Sequence, residues 1–118
     1  MRIASRVYAF FGWAIIVLGG LHMLTTFRLS SSPASRVWFF GSGIALVLAG
    51  ALNLLHRTYG QSAVGLRGVC RSANIFITLF AAVAGTVTHA TVLELVIIIG
   101  LLGATTVLSF IRSVHAAI

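Results

Sequence analysis

The chain has 118 residues, enough for one domain, but 59% of them are hydrophobic and only 8% charged, against about 25% charged in soluble domains. So few charges exclude a surface solvated by water, and a mean hydropathy of +1.10 makes lipid the solvent for most of it. The net charge of +7 is eight arginines against one acidic residue; set singly between apolar runs, without interleaved aromatics, the arginines lack the footprint of a nucleic-acid surface and read as orientation signals and phosphate headgroup contacts.

A bilayer core of about 30 Å needs about 20 helical residues. The first run that long is 7–27, between Arg6 and Arg28. It exceeds the apolar core of a secretory signal, about 7–15 residues, so it is expected to be retained as a span. A polar turn, Ser30-Ser31-Ser32-Pro33, separates it from the second span at 37–55, and Ser32 or Pro33 suits a helix start. The longest loop, around Thr58–Gly68, carries Gly60, Gly65 and Gly68. The third span is 69–88, with Arg71 reaching outward along its own stem. A few residues around His89–Thr91 lead into the fourth, 92–111, closed by Arg112. The runs are continuously apolar, without the alternation of barrel strands. The expected fold is therefore all-α, one transmembrane four-helix bundle, with short connections making neighbouring helices antiparallel.

Arginine bias orients it. With the N-terminus inside, Arg2, Arg6, Arg57, Arg67, Arg71 and Arg112 face the cytoplasm and only Arg28 and Arg36 lie outside; this satisfies the positive-inside rule and puts both termini in the cytoplasm. Arg57, Arg67 and Arg71 are the expected lipid headgroup contacts. Tyr8 and Tyr59 fit the inner interface and Trp38 the outer one. Cys70, the single cysteine, excludes an internal disulfide and reads as a small interfacial residue, or as a juxtamembrane acylation site.

Helices in lipid associate through small residues and interhelical hydrogen bonds. Each span carries such a stripe: Gly12, Ile15, Gly19, His22 and Thr26; Gly41, Ala45, Ala49 and Asn53; Asn74, Thr78, Ala81, Gly85 and Thr88; and Glu94, Ile98, Leu101, Thr105 and Arg112, with Gly100 and Gly103 nearby. The topology sorts the polar residues into two layers. An outer layer holds His22, His89 and Glu94. An inner layer holds Asn53, His56 and Asn74, whose amides suit interhelical hydrogen bonds.

Glu94, the one acidic residue, has two readings. It forms a protonatable or cation-binding site with His22, as intramembrane carboxylates often do, or it starts the fourth helix at the positive end of its dipole. His22, His89 and Glu94 also make a two-histidine, one-carboxylate ligand type, and His22 with His89, or His56 with His115, would be the pairs for a haem. There is no local ligand motif, no aspartate, no lysine and no glycine-rich phosphate loop, so no catalytic residue, enzymatic activity or cofactor is expected.

Gly19-Gly20-Leu21-His22 late in span one, Trp38-Phe39-Phe40-Gly41 opening span two, Gly50-Ala51-Leu52-Asn53-Leu54 closing it and Asn74 opening span three resemble small uncharacterised bacterial four-helix membrane proteins. The resemblance covers most of the chain and implies a bacterial inner-membrane location without a known activity. In size the chain is also similar to the small multidrug resistance transporters, which carry their essential glutamate in the first span; here span one has His22 and Glu94 lies in span four. The expected function is that of a non-enzymatic subunit, scaffold or binder of a hydrophobic partner or lipid, homo-oligomeric or part of a larger complex. The alternatives are an oligomeric proton- or cation-coupled carrier on Glu94 and His22, and a metal- or haem-binding membrane protein.

Overall fold

A computed structural model describes residues 2–28 and 30–115, with the side chains of Arg2 and Ser113 excepted; the Arg2 side chain counted above among the inner arginines, and Leu29 in the first loop, lie outside it. Four helices follow one another: α1 (Arg2–Thr26), α2 (Pro33–Tyr59), α3 (Val64–Val87) and α4 (Val92–Ser109), then a short 3-10 turn at Arg112–Val114. All four are long and apolar enough to cross a membrane. α1, α2 and α3 begin four or five residues before the apolar spans do. Helical hydrogen bonding does not stop at a charged side chain, so the backbone is already helical in the residues that precede each apolar run.

Local signals set the helix ends. Ser32 accepts from the Ser35 N–H at 3.2 Å, with Pro33 in the first turn of α2. Thr91 accepts from the Glu94 N–H at 3.2 Å to start α4. α3 begins after Ala63 without a side-chain cap. Between α3 and α4 the chain reverses at His89, whose φ of 56° is left-handed, a conformation that lets so short a connection close.

α1 and α2 form the tightest pair. A Cβ built on Gly19 would lie 2.6 Å from the Gly43 carbonyl oxygen, and one on Gly50 would lie 2.6 Å from that of Gly12. Backbone thus meets backbone at two levels, seven residues apart in each helix, and any side chain there would part the helices. Tyr8 contacts Asn53 and His56 below these levels. Positions therefore rise along α1 as they fall along α2.

The contact face of α2 differs from the four-residue stripe read from the sequence. Gly43, Leu46, Ala49, Gly50, Asn53 and His56 are buried, whereas Gly41 and Ala45 are exposed and nothing lies within 4 Å of a Cβ on Gly41. Each four-residue step overshoots a full turn by about 40°, so three steps from Asn53 to Gly41 carry a side chain about 120° around the helix. A 3-4 alternation stays on one face.

Ile15, Leu46, Ala49 and Leu102 make the apolar core, with Leu18, Ile77, Ala81, Ile98 and Leu101 packed around it. The molecule measures 47 × 22 × 21 Å. Its exterior is apolar on all four helices: Phe10, Trp38, Phe76 and Leu93 are each more than half exposed. In water that surface would drive aggregation; in lipid it is the ordinary outside of a bundle.

Candidate functional site

At one end of the bundle the start of α1, the end of α2, the start of α3 and the end of α4 come together. α1 brings Tyr8, α2 brings Asn53 and His56, and α3 brings Cys70 and Asn74; all five side chains are buried. Asn53 and Asn74 pair reciprocally, each Nδ2 donating to the other's Oδ1 at 2.8 Å. Asn53 Nδ2 also donates to the Ala49 carbonyl at 2.8 Å. Asn53 Oδ1 further accepts from the Tyr8 hydroxyl at 2.6 Å and from the Cys70 thiol at 3.4 Å. One side-chain oxygen thus ties three helices.

His56 Nδ1 lies 2.8 Å from the Tyr8 oxygen. A phenol has a single hydrogen, and the shorter contact gives it to Asn53. Nδ1 then carries the imidazole proton and donates to Tyr8, which leaves Nε2 a bare acceptor, buried and without a hydrogen-bond partner among the described residues. The ring stands edge-on to Tyr8 at 5.8 Å and to His115 at 5.0 Å, and His115 Nδ1 lies 3.2 Å from the His56 carbonyl oxygen. The 3-10 turn therefore folds back over this end, with Val114 fully buried. Below the amides, Thr78 donates to the Asn74 carbonyl at 2.7 Å and meets Thr106 at 3.1 Å, extending the network to α4.

Three arginines ring the cluster, each holding a backbone carbonyl on another segment. Arg57 Nε donates to Ser5 at 2.8 Å. Arg67 Nη1 donates to Gly60 at 3.0 Å and Gln61 at 3.3 Å. Arg71 Nε donates to Ser109 at 2.9 Å and its guanidinium lies 4.8 Å over the Phe110 ring. Arg67 and Arg71 thus satisfy carbonyls that the ends of α2 and α4 leave without helical partners.

The opposite end is built differently. His22 Nδ1 sits 3.0 Å from the Leu18 carbonyl of its own helix, and its ring stacks on Phe39 at 4.6 Å. His89 and Glu94 are exposed. Among the described residues no hydrogen bond or ion pair joins His22, His89 and Glu94, and the Glu94 contact is its backbone N–H on Thr91. Among the described residues no group of three or more His, Cys, Asp and Glu side chains is placed to hold a metal ion.

The structure thus joins Asn53, His56 and Asn74, and adds two residues that the sequence reading put at the membrane interface. Tyr8 and Cys70 are at most 1% exposed. The signal for both was one helical turn away: Tyr8 is four residues before Gly12 on the α1 stripe, and Cys70 is four before Asn74. Chemically, the phenol, imidazole, thiol and amides engage one another out of contact with the surface, an arrangement that fixes helix register.

No protein-family model matches the chain, and neither the curated proteins nor the solved structures searched contain a match.

Proposed function

We propose that the chain is an integral membrane protein of the bacterial inner membrane, an antiparallel four-helix bundle with both termini in the cytoplasm. It acts without enzymatic activity, as a subunit or scaffold that holds a hydrophobic partner or lipid within the bilayer, and it assembles as a homo-oligomer or within a larger complex. One observation carries this reading: an apolar exterior on all four helices surrounds a polar cluster whose members bond to one another. The chemistry-bearing side chains are thereby engaged in holding helices, and the surface offered to other molecules is hydrocarbon. Orientation is supported by the grouping of Arg57, Arg67 and Arg71 at one end. Thr91 capping the first turn of α4 supports Glu94 as a helix-start residue.

Two measurements test it. A cysteine at exposed Ser31 is expected to react with an impermeant maleimide in intact cells, and one at exposed Ser62 only after permeabilisation; the reverse pattern overturns the orientation. Native mass spectrometry from nanodiscs is expected to give an assembly of more than one chain. A monomer that carries neither partner nor lipid overturns the subunit reading.

A further inference from the structure

Positive and negative charge are kept apart in this molecule. The chain has eight arginines and one acid. Glu94 lies in the first turn of α4, fifteen residues before Ser109, whose carbonyl receives Arg71; that separation is about 22 Å along the helix. Among the described residues, the arginine-rich end therefore has no carboxylate counterion.

The arginines there are also held in place. A guanidinium has five N–H donors in a planar fork. Arg71 uses its Nε–H on Ser109 while its plane rests over Phe110, which keeps the ring in place and leaves its Nη groups for another acceptor. Arg67, one turn earlier on the same face of α3, is anchored through Nη1. Both are half-buried, and Arg112, two residues after Phe110, is exposed.

Phe110, which caps the end of α4, heads a strip that continues along the helix through Val107, Gly103, Gly100 and Val96, at alternating spacings of three and four. Val96, Val107 and Phe110 are exposed, and a Cβ on Gly100 or Gly103 would meet nothing within 4 Å. The strip is a shallow apolar channel leading away from the guanidinium groups.

We propose that this α3–α4 surface binds an anionic phospholipid, with its phosphate on Arg67, Arg71 and Arg112 and an acyl chain along the strip. The proposal rests on the membrane reading above and specifies its lipid partner. Guanidinium forks match phosphate oxygens bidentately. A zwitterionic lipid offers the same phosphate but brings a cation into an uncompensated positive field, so net negative charge is selected. A second copy of the chain in the same orientation, seated on this strip, would set these arginines beside their own equivalents with no acidic side chain among the described residues between them, which disfavours it as the occupant.

The test uses the full chain in nanodiscs of equal phosphatidylglycerol and phosphatidylcholine, with retained lipid read by native mass spectrometry. The wild type is expected to keep phosphatidylglycerol in preference. The Arg67→Gln, Arg71→Gln double variant is expected to lose that preference by about fivefold for each arginine removed. Arg28→Gln with Arg36→Gln, at the opposite end, is expected to change nothing. If the inner double variant fails to fold by circular dichroism, Gly103→Phe decides the matter, because it fills the strip without touching an arginine and should also lose the lipid. Wild-type retention in the bulk ratio, or unchanged retention in either inner variant that folds, overturns the proposal. So does conversion of an oligomer to monomers by Gly103→Phe with lipid retention intact, which assigns the strip to a second copy. A chain that stays in buffer without detergent and never enters nanodiscs defeats the membrane reading instead.

Discussion

The two ends of the bundle use similar side chains for different purposes. At the arginine-rich end, Tyr8, Asn53, His56, Cys70 and Asn74 bond across α1, α2 and α3. At the opposite end, His22, Thr26, Thr86 and Thr88 each engage a carbonyl four residues back in their own helix. A bond between helices fixes their relative rotation and depth. A back-bond to the same helix satisfies the side chain and places no constraint on a neighbour. The first end is therefore the register device of the fold, and the second is held mainly by packing of the Gly19–Gly43 contact and by short turns.

The largest expected effect follows from removing the oxygen that three helices share. Asn53→Ala takes the partner from Tyr8, Cys70 and Asn74 at once, and should destabilise the folded state by about 2–3 kcal/mol, the upper part of the range for buried polar groups left without partners. His22→Ala at the other end should cost less than half as much. Unfolding titrations in mixed micelles, followed by the fluorescence of Trp13 and Trp38, compare the two. Equal losses would abolish the distinction between the ends. Gly60→Ala comes next. A Cβ there would lie 2.5 Å from the His56 carbonyl oxygen and 2.9 Å from His56 Nε2, so the buried imidazole would have to shift, at a cost of about 1–3 kcal/mol. Gly41→Ala, with open space around it, is expected to be neutral or to stabilise α2 by up to about 1 kcal/mol through helix propensity. The same titration reads both.

How much of this was visible in the sequence follows from the same geometry. Four helices and the depth of each polar residue come from run lengths and rise per residue, so Asn53, His56 and Asn74 could be placed at one level. Rotation about each helix axis is another matter. It is set where backbones touch, at Gly12 against Gly50 and Gly19 against Gly43, and the choice between a four-residue and a 3-4 spacing displaced the contact face of α2 at its far end. Tyr8 was read as an interfacial aromatic because tyrosine is common there; its place on the Gly12 stripe was the better guide. Trp13, more than half exposed, sits off that stripe and faces outward. Matched depth paired His56 with His115, but the 3-10 turn at Arg112–Val114 that brings them together was not legible, since a turn folding back over the bundle has no apolar period to announce it.

Tyr8→Phe sharpens the comparison with a smaller perturbation. It removes one hydroxyl and keeps the ring against His56. Asn53 Oδ1 retains its other two donors, while His56 Nδ1 loses its partner. The expected loss is about 1 kcal/mol, without change in helix content by circular dichroism. Combined with Asn53→Ala it should add little, because both act on the same contacts; a fully additive double variant would show that the hydroxyl and the amide stabilise the fold independently.

The smallest destabilisation is expected at Glu94. Its carboxylate is exposed and sits over the first turn of α4, where the helix dipole favours a negative charge by about 0.3–1 kcal/mol. Glu94→Gln removes the charge and keeps the Thr91 cap on the backbone N–H, so the loss should fall near the low end of that range. Thr91→Val removes the cap itself and should cost about 1 kcal/mol. That order, cap above carboxylate, is what a helix-start residue requires. A protonatable centre requires the opposite: Thr91→Val would leave pH-driven uptake into proteoliposomes intact, and Glu94→Gln would abolish it. Measured side by side, stability and uptake separate the two roles of the one acid in the chain.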